Sequence, residues 1–310
     1  MATTNSLTTT YAGEFAGEYI SAALLSANTL DNGGITIKPN VKYKEVLKKV
    51  ATDDIVKDAT CDFDASSTLT LTERILQPEE FQVNLQLCKK DFNTDWEAIS
   101  QGFSAHDQLP PKFSDFLIGH VAAKVAQRME NNIWSGTNAT AGQFDGFFTT
   151  LSADSDVSDI TGTTVTASNV ITEMGKVVDA IPSTLYLNED LYLYVSQNVA
   201  RAYVRALGGF ASSLGAAGTD AKGTQWYAGG DLTFDGVKIF VANGLGSNTM
   251  IAAEKSNLFF GTGLLSDHNE VKVIDMADID GSQNVRVVMR FTAGIQHAIG
   301  SDIVLYHSTV

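Results

Sequence analysis

A long amphipathic stretch near the middle of the chain constrains the fold more than any other feature. Residues 110–136 read PPKFSDFLIGHVAAKVAQRMENNIWSG. Pro111 suits a first helical position, where its missing N–H is not needed, and Gly136 suits a helix stop just past Trp134. Apolar side chains recur every four residues and predict one buried face: Phe113, Leu117, Val121, Val125, Met129 and Ile133. The predicted helix over 111–134 is about 36 Å long at roughly 1.5 Å per residue, which fits either a spine crossing a flat subunit or an ordinary core helix.

Charge and composition exclude several classes of protein. The 310 residues include 36 Asp and Glu against 21 Lys and Arg, a net charge of −15, which argues against nucleic-acid binding through a general positive field. A surface that only faces DNA remains compatible with this charge. The N-terminus contains Glu14 and Glu18 and no basic cluster, so it does not resemble a secretory signal peptide. No apolar run approaches the roughly 20 residues of a membrane span. Two cysteines do not form a disulfide scaffold, so the chain is expected to originate in the cytosol.

The first third of the chain predicts segments that cannot bury themselves. Residues 1–34 form a polar arm that ends in the turn sequence DNGG, and such an arm orders only by packing on something else, such as a neighbour. A short helix is expected over 43–50. Two strands over 55–63 and 67–76, joined by a tip at 64–67, predict a β-ribbon, and a third alternating strand follows at 81–88. Because a two-stranded ribbon is marginal alone in water, this one is expected to lie against another chain.

The second half predicts an α/β segment and then mostly strands. A polar linker over 152–162 precedes a helix over 170–181 that Pro182 ends. A short strand at 184–187 is expected next, followed by a helix that Asn188 caps. Gly208–Gly230 reads as a long loop, since it has seven glycines and no sustained pattern. Strands are predicted at 237–242, 249–253, 270–276, 284–291, 295–299 and 302–307.

The sequence contains no convincing catalytic, cofactor or metal motif. Gly244-Leu245-Gly246 lacks the following helix that a dinucleotide fingerprint needs, and residues 278–281 open like a calcium loop but lack its distant Glu, so a plain turn is expected. None of the five histidines has metal-ligand spacing to another His or a Cys. The predicted ribbon pairs Cys61 with about Thr72, far from Cys88, which indicates two free thiols.

The order of these segments resembles the major capsid protein of tailed double-stranded DNA bacteriophages, the Hong Kong 97 fold. The resemblance covers nearly the whole chain and includes Glu130, Trp134 and Gly136 of the long helix. The segments that carry it are the arm, the ribbon, LPPKFSDFLIGHVAAKVAQRMENNIWSGT, QFDGFFTTL, STLYLNEDLYLYV, GVKIFVANGLGSNTMIAAEKSNLFFGTGLLSD and VRVVMRFTAGIQHAIGSDIVLY.

This resemblance implies an α+β subunit in the following parts: an N-terminal arm (1–34), an extended loop (52–80), a peripheral domain with the spine helix and an antiparallel sheet (35–51, 81–162 and 263–310), and an α/β axial domain (163–262). It implies pentamers and hexamers of an icosahedral head around double-stranded DNA, with the arm and extended loop lapping over neighbours. The protein is then made in a bacterial host cytoplasm, resides in the virion, and is not an enzyme. Expected partners are other copies, a separate scaffolding protein, a portal protein, decoration proteins, and DNA bound without sequence specificity; no membrane is expected.

The assembly residues expected on this basis lie in two places. The long loop, expected at the five- or six-fold axis, offers apolar groups to other subunits, and the ribbon offers basic ones: Phe210, Leu214, Trp226 and Tyr227 in the loop, Lys57 and Arg74 on the ribbon. Some relatives cross-link through a ribbon Lys, but the sequence does not reveal the partners that such a link needs. Two other classes stay open: another phage structural protein, such as a tail tube or decoration protein, and an α/β enzyme built on 163–262.

Overall fold

The computed structural model describes residues 28–41, 43–52, 56, 58–59, 61, 69–88, 111–186, 188–207, 232–263 and 272–308. Within these ranges the side chains of 51–52, 111–118, 272 and 278 are not described. The expected arm residues 1–27 and the loop 208–231 therefore lie outside the described part of the chain.

The described residues form six α-helices and thirteen strands. The helices are α1 (Asn28–Asp31), α2 (Pro111–Ser135), α3 (Phe147–Ser152), α4 (Val170–Asp179), α5 (Gln197–Leu207) and α6 (Ala277–Asp280). The strands are β1 (Thr36–Lys38), β2 (Glu45–Thr52), β3 (Leu69–Leu76), β4 (Glu79–Cys88), β5 (Ser158–Gly162), β6 (Leu191–Val195), β7 (Thr233–Phe234), β8 (Val237–Val241), β9 (Met250–Glu254), β10 (Leu258–Gly261), β11 (Lys272–Asp275), β12 (Asn284–His297) and β13 (Val304–Ser308).

The chain divides into two compact units. Of the described residues, the smaller unit contains 80–88, 111–128 and 272–292, and the larger contains the rest. In the smaller unit β12 pairs with β4 and, antiparallel, with β11. The first part of α2 packs here, because Val121 and Val287 form a small core with Val83, Leu87, Val125 and Val273. The predicted apolar face of the long helix is thereby confirmed at Val121 and Val125, while the side chains of Phe113 and Leu117 lie outside the described set.

The larger unit is built on a six-stranded sheet in the order β5-β13-β9-β6-β8-β7. The central strand β6 pairs parallel with β8 and antiparallel with β9, so its run LYLYV has neighbours on both sides. Helices α4 and α5 cover one face with an apolar core that includes Met174, Val177, Leu193 and Tyr203. A second group of strands in this unit pairs β1 with β10 and β10 with the last residues of β12.

The ribbon consists of β2 and β3 in antiparallel register, from Glu45 opposite Leu76 to Thr52 opposite Leu69. Two sequence-based expectations are wrong here. Residues 45–52 form a strand and not a helix, because pairing along the whole of β3 outweighs the helix-compatible spacing of KEVLKKV. The predicted ribbon strand at 67–76 is confirmed as β3, but its partner is 45–52 and not 55–63, so Thr72 pairs with Lys49 instead of Cys61. The conclusion about the thiols nevertheless holds, since Cys61 and Cys88 are both free.

Four further expectations are corrected in the second half of the chain. The strand is 191–195 and not 184–187, and Asn188 lies in the turn before it and caps no helix, because the buried LYLYV run fills the middle of the sheet. The polar segment 152–162 ends in strand β5, which pairs parallel with β13. The strands predicted separately at 284–291 and 295–299 are one strand, β12, which continues through Gly294, where a Cβ would lie 2.8 Å from the carbonyl oxygen of Gln77. That glycine permits close backbone packing instead of a turn.

Other expectations about helices, strands and turns are confirmed. The long helix runs from Pro111 to Ser135 and stops at Gly136, where a Cβ would lie 2.3 Å from the Phe144 carbonyl oxygen. Helix α4, strand β4 and the DNGG turn lie where the sequence predicts them, and so do four of the strands in the last quarter, β8, β9, β11 and β13. The described part of the chain contains no helix long and apolar enough to cross a membrane.

Candidate functional site

The ribbon presents an apolar row to solvent. The register of β2 and β3 places five aliphatic side chains on one face: Val46 opposite Ile75, Val50 opposite Leu71, and Leu69 beside them. We call these five residues the outer row. Their exposed fractions range from 44% at Val46 to 65% at Leu71. Lys48 opposite Glu73 lies between the Val46–Ile75 pair and the other three residues. A group of exposed aliphatic side chains rimmed by charged ones is of the kind that marks an interaction site.

The opposite face of the ribbon is anchored at its base. Leu47 and Leu76 are buried there against Val41 and Phe259. A Cβ on Gly261 would lie 3.0 Å from Leu76 Cδ2, so glycine is what lets strand β10 lie this close to the ribbon. Because the ribbon is fixed at one end and apolar on its free face, its geometry suits contact with another molecule.

A polar cluster fixes the same end of the ribbon. Arg74 on β3 pairs with Asp154, and Asp156 Oδ2 lies 4.0 Å from Arg74 Nη2. His297, at the end of β12, has its Nε2 atom 2.8 Å from the same Asp154 oxygen and is completely buried. We call Arg74, Asp154 and His297 the ribbon clamp. Since one carboxylate oxygen holds both the ribbon and the sheet, the clamp determines how the base of the ribbon is oriented.

The electrostatics of the clamp follow from burial and hydrogen bonding. Burial alone would raise the pKa of Asp154, but hydrogen bonds from His297, the Asp156 N–H and Arg74 hold it below its usual 3.8. Burial lowers the pKa of His297 below its usual 6.5, against the opposing effect of the bond to Asp154. At neutral pH the clamp therefore contains one cation, one anion and a neutral imidazole.

A second buried network holds α1 against the end of the long helix. The Thr29 N–H donates to Glu130 Oε2 at 3.0 Å, and the Thr29 hydroxyl donates to Glu130 Oε1 at 2.6 Å. Trp134 Nε1 donates to the same hydroxyl oxygen at 2.7 Å. All three side chains are fully buried. Burial raises the pKa of Glu130 above its usual 4.5, against the opposing effect of these bonds and of the Gly244 N–H. This Thr29–Glu130–Trp134 junction fixes the position of α1 against the end of the long helix.

Aromatic side chains also pack against residues 28–34. The Trp134 ring centroid lies 5.1 Å from that of Tyr194, and Tyr194 lies 5.6 Å from Phe240. The Tyr194 hydroxyl donates to the Gly34 carbonyl at 2.6 Å, and a Cβ on Gly34 would lie 2.7 Å from the Phe240 ring. Both features hold the chain close to the sheet, so this segment is well anchored although the sequence predicts it only as an arm.

The structure describes one of the six residues that the sequence proposes for assembly. Arg74 lies in the ribbon clamp and not in the outer row, while Phe210, Leu214, Trp226, Tyr227 and Lys57 lie outside the described residues. Sequence reasoning missed Thr29, Asp154 and His297. Asp154 and His297 are 143 positions apart, so no local sequence pattern predicts their contact. Among the described residues no group of three or more His, Cys, Asp or Glu could hold a metal ion.

No family model and no curated protein matches the sequence. The structure, however, is similar over nearly its whole length to solved structures. One is the capsid of a native GTA particle, with a TM-score of 0.65, 13% identity and coverage of 95% of this chain and 94% of that one. A second is the capsid of the cyanophage P-SCSP1u (TM-score 0.57, 14% identity, 96% and 92%). A third is the procapsid of satellite phage P4, which includes a size determination protein (TM-score 0.53, 10% identity, 91% and 98%). At these identities the likeness establishes the fold, and the chain therefore has a mixed α+β fold that is found in phage capsids.

Proposed function

We propose that this chain is the major capsid protein of a tailed double-stranded DNA phage and has the Hong Kong 97-like fold. Its copies form pentamers and hexamers, which close into an icosahedral head around the packaged genome. The observation that carries the proposal is the likeness to capsid structures over more than nine-tenths of both chains. A likeness of this extent covers far more of the chain than a single shared core motif would.

The parts of the subunit follow from this proposal. Residues 1–34 are the arm. The extended loop comprises 52–80 together with strand β2, which pairs with β3. The axial domain comprises 163–262 together with β5 and β13 of the same sheet, and the remainder is the peripheral domain with the long helix as its spine. The loop Gly208–Gly230 forms the centre of each capsomer through Phe210, Leu214, Trp226 and Tyr227. The virion is the site of action, and the host cytoplasm is the site of synthesis.

The outer row supports contact between copies. Fully burying a Val, Leu or Ile side chain stabilises by about 1.5–3 kcal/mol. Since the five side chains of the row are roughly half exposed, covering them would add about 4–7 kcal/mol per subunit before the cost of association. Because association costs about 4–15 kcal/mol, covering the row would be one contribution to assembly beside other contacts between subunits. We propose that a second copy covers this row.

The other partners follow from the proposed head. The net charge of −15 suits an inner surface that encloses DNA without binding it tightly. A separate scaffolding protein directs assembly, a portal protein occupies one vertex, and decoration proteins bind the outside. In one similar structure, the satellite phage P4 procapsid, a size determination protein accompanies the shell.

A pair of adjacent substitutions tests the proposal. Leu71→Asp places a charge in the outer row, and Thr70→Asp places the same charge one residue away on the opposite face, where the side chain is also exposed. Both variants should keep the circular dichroism spectrum of the wild-type subunit. Electron microscopy should show shells for the wild type and Thr70→Asp but few or none for Leu71→Asp. Equal assembly of the two variants would show that the row makes no contact between subunits.

A further inference from the structure

The ribbon clamp joins the ribbon to the body of the larger unit through a single carboxylate. Asp154 Oδ2 receives Arg74 from the ribbon side and His297 Nε2 from the body side. An ionised carboxylate only accepts hydrogen bonds, so Nε2 carries the hydrogen and His297 Nδ1 is the bare nitrogen. Nδ1 is buried and has no hydrogen-bond partner among the described residues.

Protonation of His297 at Nδ1 would be unfavourable in the closed clamp. The new N–H at Nδ1 would be buried without an acceptor, which is costly. It would also change the charge of the clamp from neutral to +1, beside Arg74. The charged and titratable groups that face His297 are Arg74 on β3 and Asp154 and Asp156 in the loop after α3. Asp156 is largely exposed and lies at the edge of the cluster, so it offsets little of the added charge.

Arg74 and protonated His297 differ in how easily each can move away from Asp154. The His297 side chain is 0% exposed and belongs to a strand paired on β10, whereas the Arg74 side chain is 28% exposed and opens to solvent. Arg74 is therefore the group that leaves. The apolar contacts of Leu47 and Leu76 remain, and so does the bond from Gln296 Nε2 to the Ile75 carbonyl at 3.1 Å. The ribbon then pivots about its base without detaching from the body.

We propose that Arg74, Asp154 and His297 form an acid-sensitive clamp, which fixes the direction of the ribbon at neutral pH and frees it when His297 is protonated. The sign follows from the two groups. Because the pKa of His297 is depressed, the closed clamp loses stability as the pH falls below 6.5. Asp154 acts in the same direction but only below 3.8, since its own pKa is lowered. The loss driven by His297 therefore sets in below pH 6.5, before Asp154 contributes. Its consequence for assembly, a ribbon no longer aimed at a neighbour, rests on the proposed function.

Distance measurements on the full chain at subunit concentrations below assembly test the clamp. Spin labels are placed at Lys48→Cys on the ribbon and Asp179→Cys at the end of α4, two exposed positions, with Cys61 and Cys88 replaced by Ser. Double electron–electron resonance is recorded from pH 7.5 to pH 4.0, with circular dichroism at each step to confirm that the body stays folded. The wild-type clamp should give a narrow distance distribution at pH 7.5 that broadens as the pH falls below 6.5.

Three variants separate the roles of the clamp residues. His297→Gln keeps a donor near Asp154 but cannot be protonated, so its distribution should stay narrow across the range. Arg74→Gln and Asp154→Asn should each give a broad distribution at every pH. Lys49→Gln changes a ribbon cation outside the clamp, whose Nζ makes an exposed 3.5 Å hydrogen bond to Ser301 Oγ, and it should behave as the wild type.

Two outcomes would overturn the proposal: a wild-type distribution that does not change above pH 4.0 while the body is folded, or an acid transition in His297→Gln that matches the wild type. Because the labels report motion within one subunit, these outcomes are independent of whether the chain forms shells. The wild-type titration also decides the question if a variant does not fold.

Discussion

Removal of one hydroxyl group tests how firmly the Thr29–Glu130–Trp134 junction holds the chain. Thr29→Val keeps the shape and β-branching of the side chain, so it creates little cavity. It deprives Glu130 of a donor at 2.6 Å and Trp134 Nε1 of its acceptor at 2.7 Å, both in a fully buried place. A hydrogen bond to a charged group contributes about 1.5–3 kcal/mol, and a buried donor left unpaired costs about 1–3 kcal/mol. We therefore expect Thr29→Val to lower the free energy of unfolding by about 3–5 kcal/mol.

The assay is urea denaturation of the unassembled subunit, with two matched variants. Thr36→Val removes a half-buried hydroxyl that donates to the Lys255 carbonyl at 3.0 Å, and should cost about 0.5–1.5 kcal/mol. Thr29→Ser keeps the hydroxyl and should lose about 1 kcal/mol for the buried methyl group. If Thr29→Val is within about 1 kcal/mol of Thr36→Val, the junction does not anchor the segment as described.

The pH dependence of the same variant gives a second readout. The pKa of Glu130 is raised, so its contribution to stability is largest below 4.5 and is lost as the pH rises through its folded-state pKa. The Thr29 hydroxyl stabilises the ionised form, which makes the carboxyl group easier to ionise in the folded protein. The deficit of Thr29→Val relative to the wild type should therefore be larger at pH 7.5 than at pH 4.5. A deficit that is the same at both values would mean that Glu130 is not the group affected.

Three further predictions concern the larger unit. Gly162→Ala should destabilise the protein by about 2 kcal/mol or more, because its Cβ would lie 2.0 Å from the Tyr306 hydroxyl. Gly175→Ala, in open space on α4, should stabilise it by about 0.5–1 kcal/mol. Thermal unfolding that ranks the two variants otherwise would contradict the packing. Tyr306→Phe removes the donor 2.7 Å from the buried Glu173 carboxylate and should cost about 1.5–3 kcal/mol in urea unfolding, while the exposed Tyr186→Phe should cost under about 1 kcal/mol. Burial alone would raise the pKa of Glu173, but hydrogen bonds from Lys176 and Tyr306 lower it below 4.5, so the wild-type advantage over Tyr306→Phe should shrink as the pH falls through that lowered pKa; an advantage that grows in acid would reverse the assignment.

The sequence predicts best those elements whose pattern is local. The long helix has a four-residue apolar repeat, a proline at its start and a glycine at its end, and the structure has it from Pro111 to Ser135. The alternating strands of the last quarter are equally clear. By contrast, residues 45–52 have apolar positions that suit either a helix or a strand, and the outcome is decided by pairing with β3, which a single segment cannot reveal.

The strand Leu191–Val195 was missed for a related reason. Asn188, Glu189 and Asp190 have the composition of a helix start, but the apolar run after them has neighbours on both sides in the sheet. The polar networks depend even more on the tertiary fold. Thr29 meets Glu130 across 101 positions, and Asp154 meets His297 across 143, so only the folded chain brings these groups together. The outer row lies between the two cases, since its alternation along β3 is visible in the sequence while its register with β2 is not.

The central claim is that copies of this chain assemble into a closed shell through their ribbons. The most direct measurement is a cryo-electron microscopy reconstruction of particles formed by the purified full-length protein, with a scaffolding protein co-expressed where one is needed. The account predicts pentamers and hexamers in an icosahedral shell, with Val50 and Leu71 of each ribbon covered by a neighbouring subunit. A chain that stays monomeric at every concentration, or a shell in which these two side chains face solvent, would contradict it.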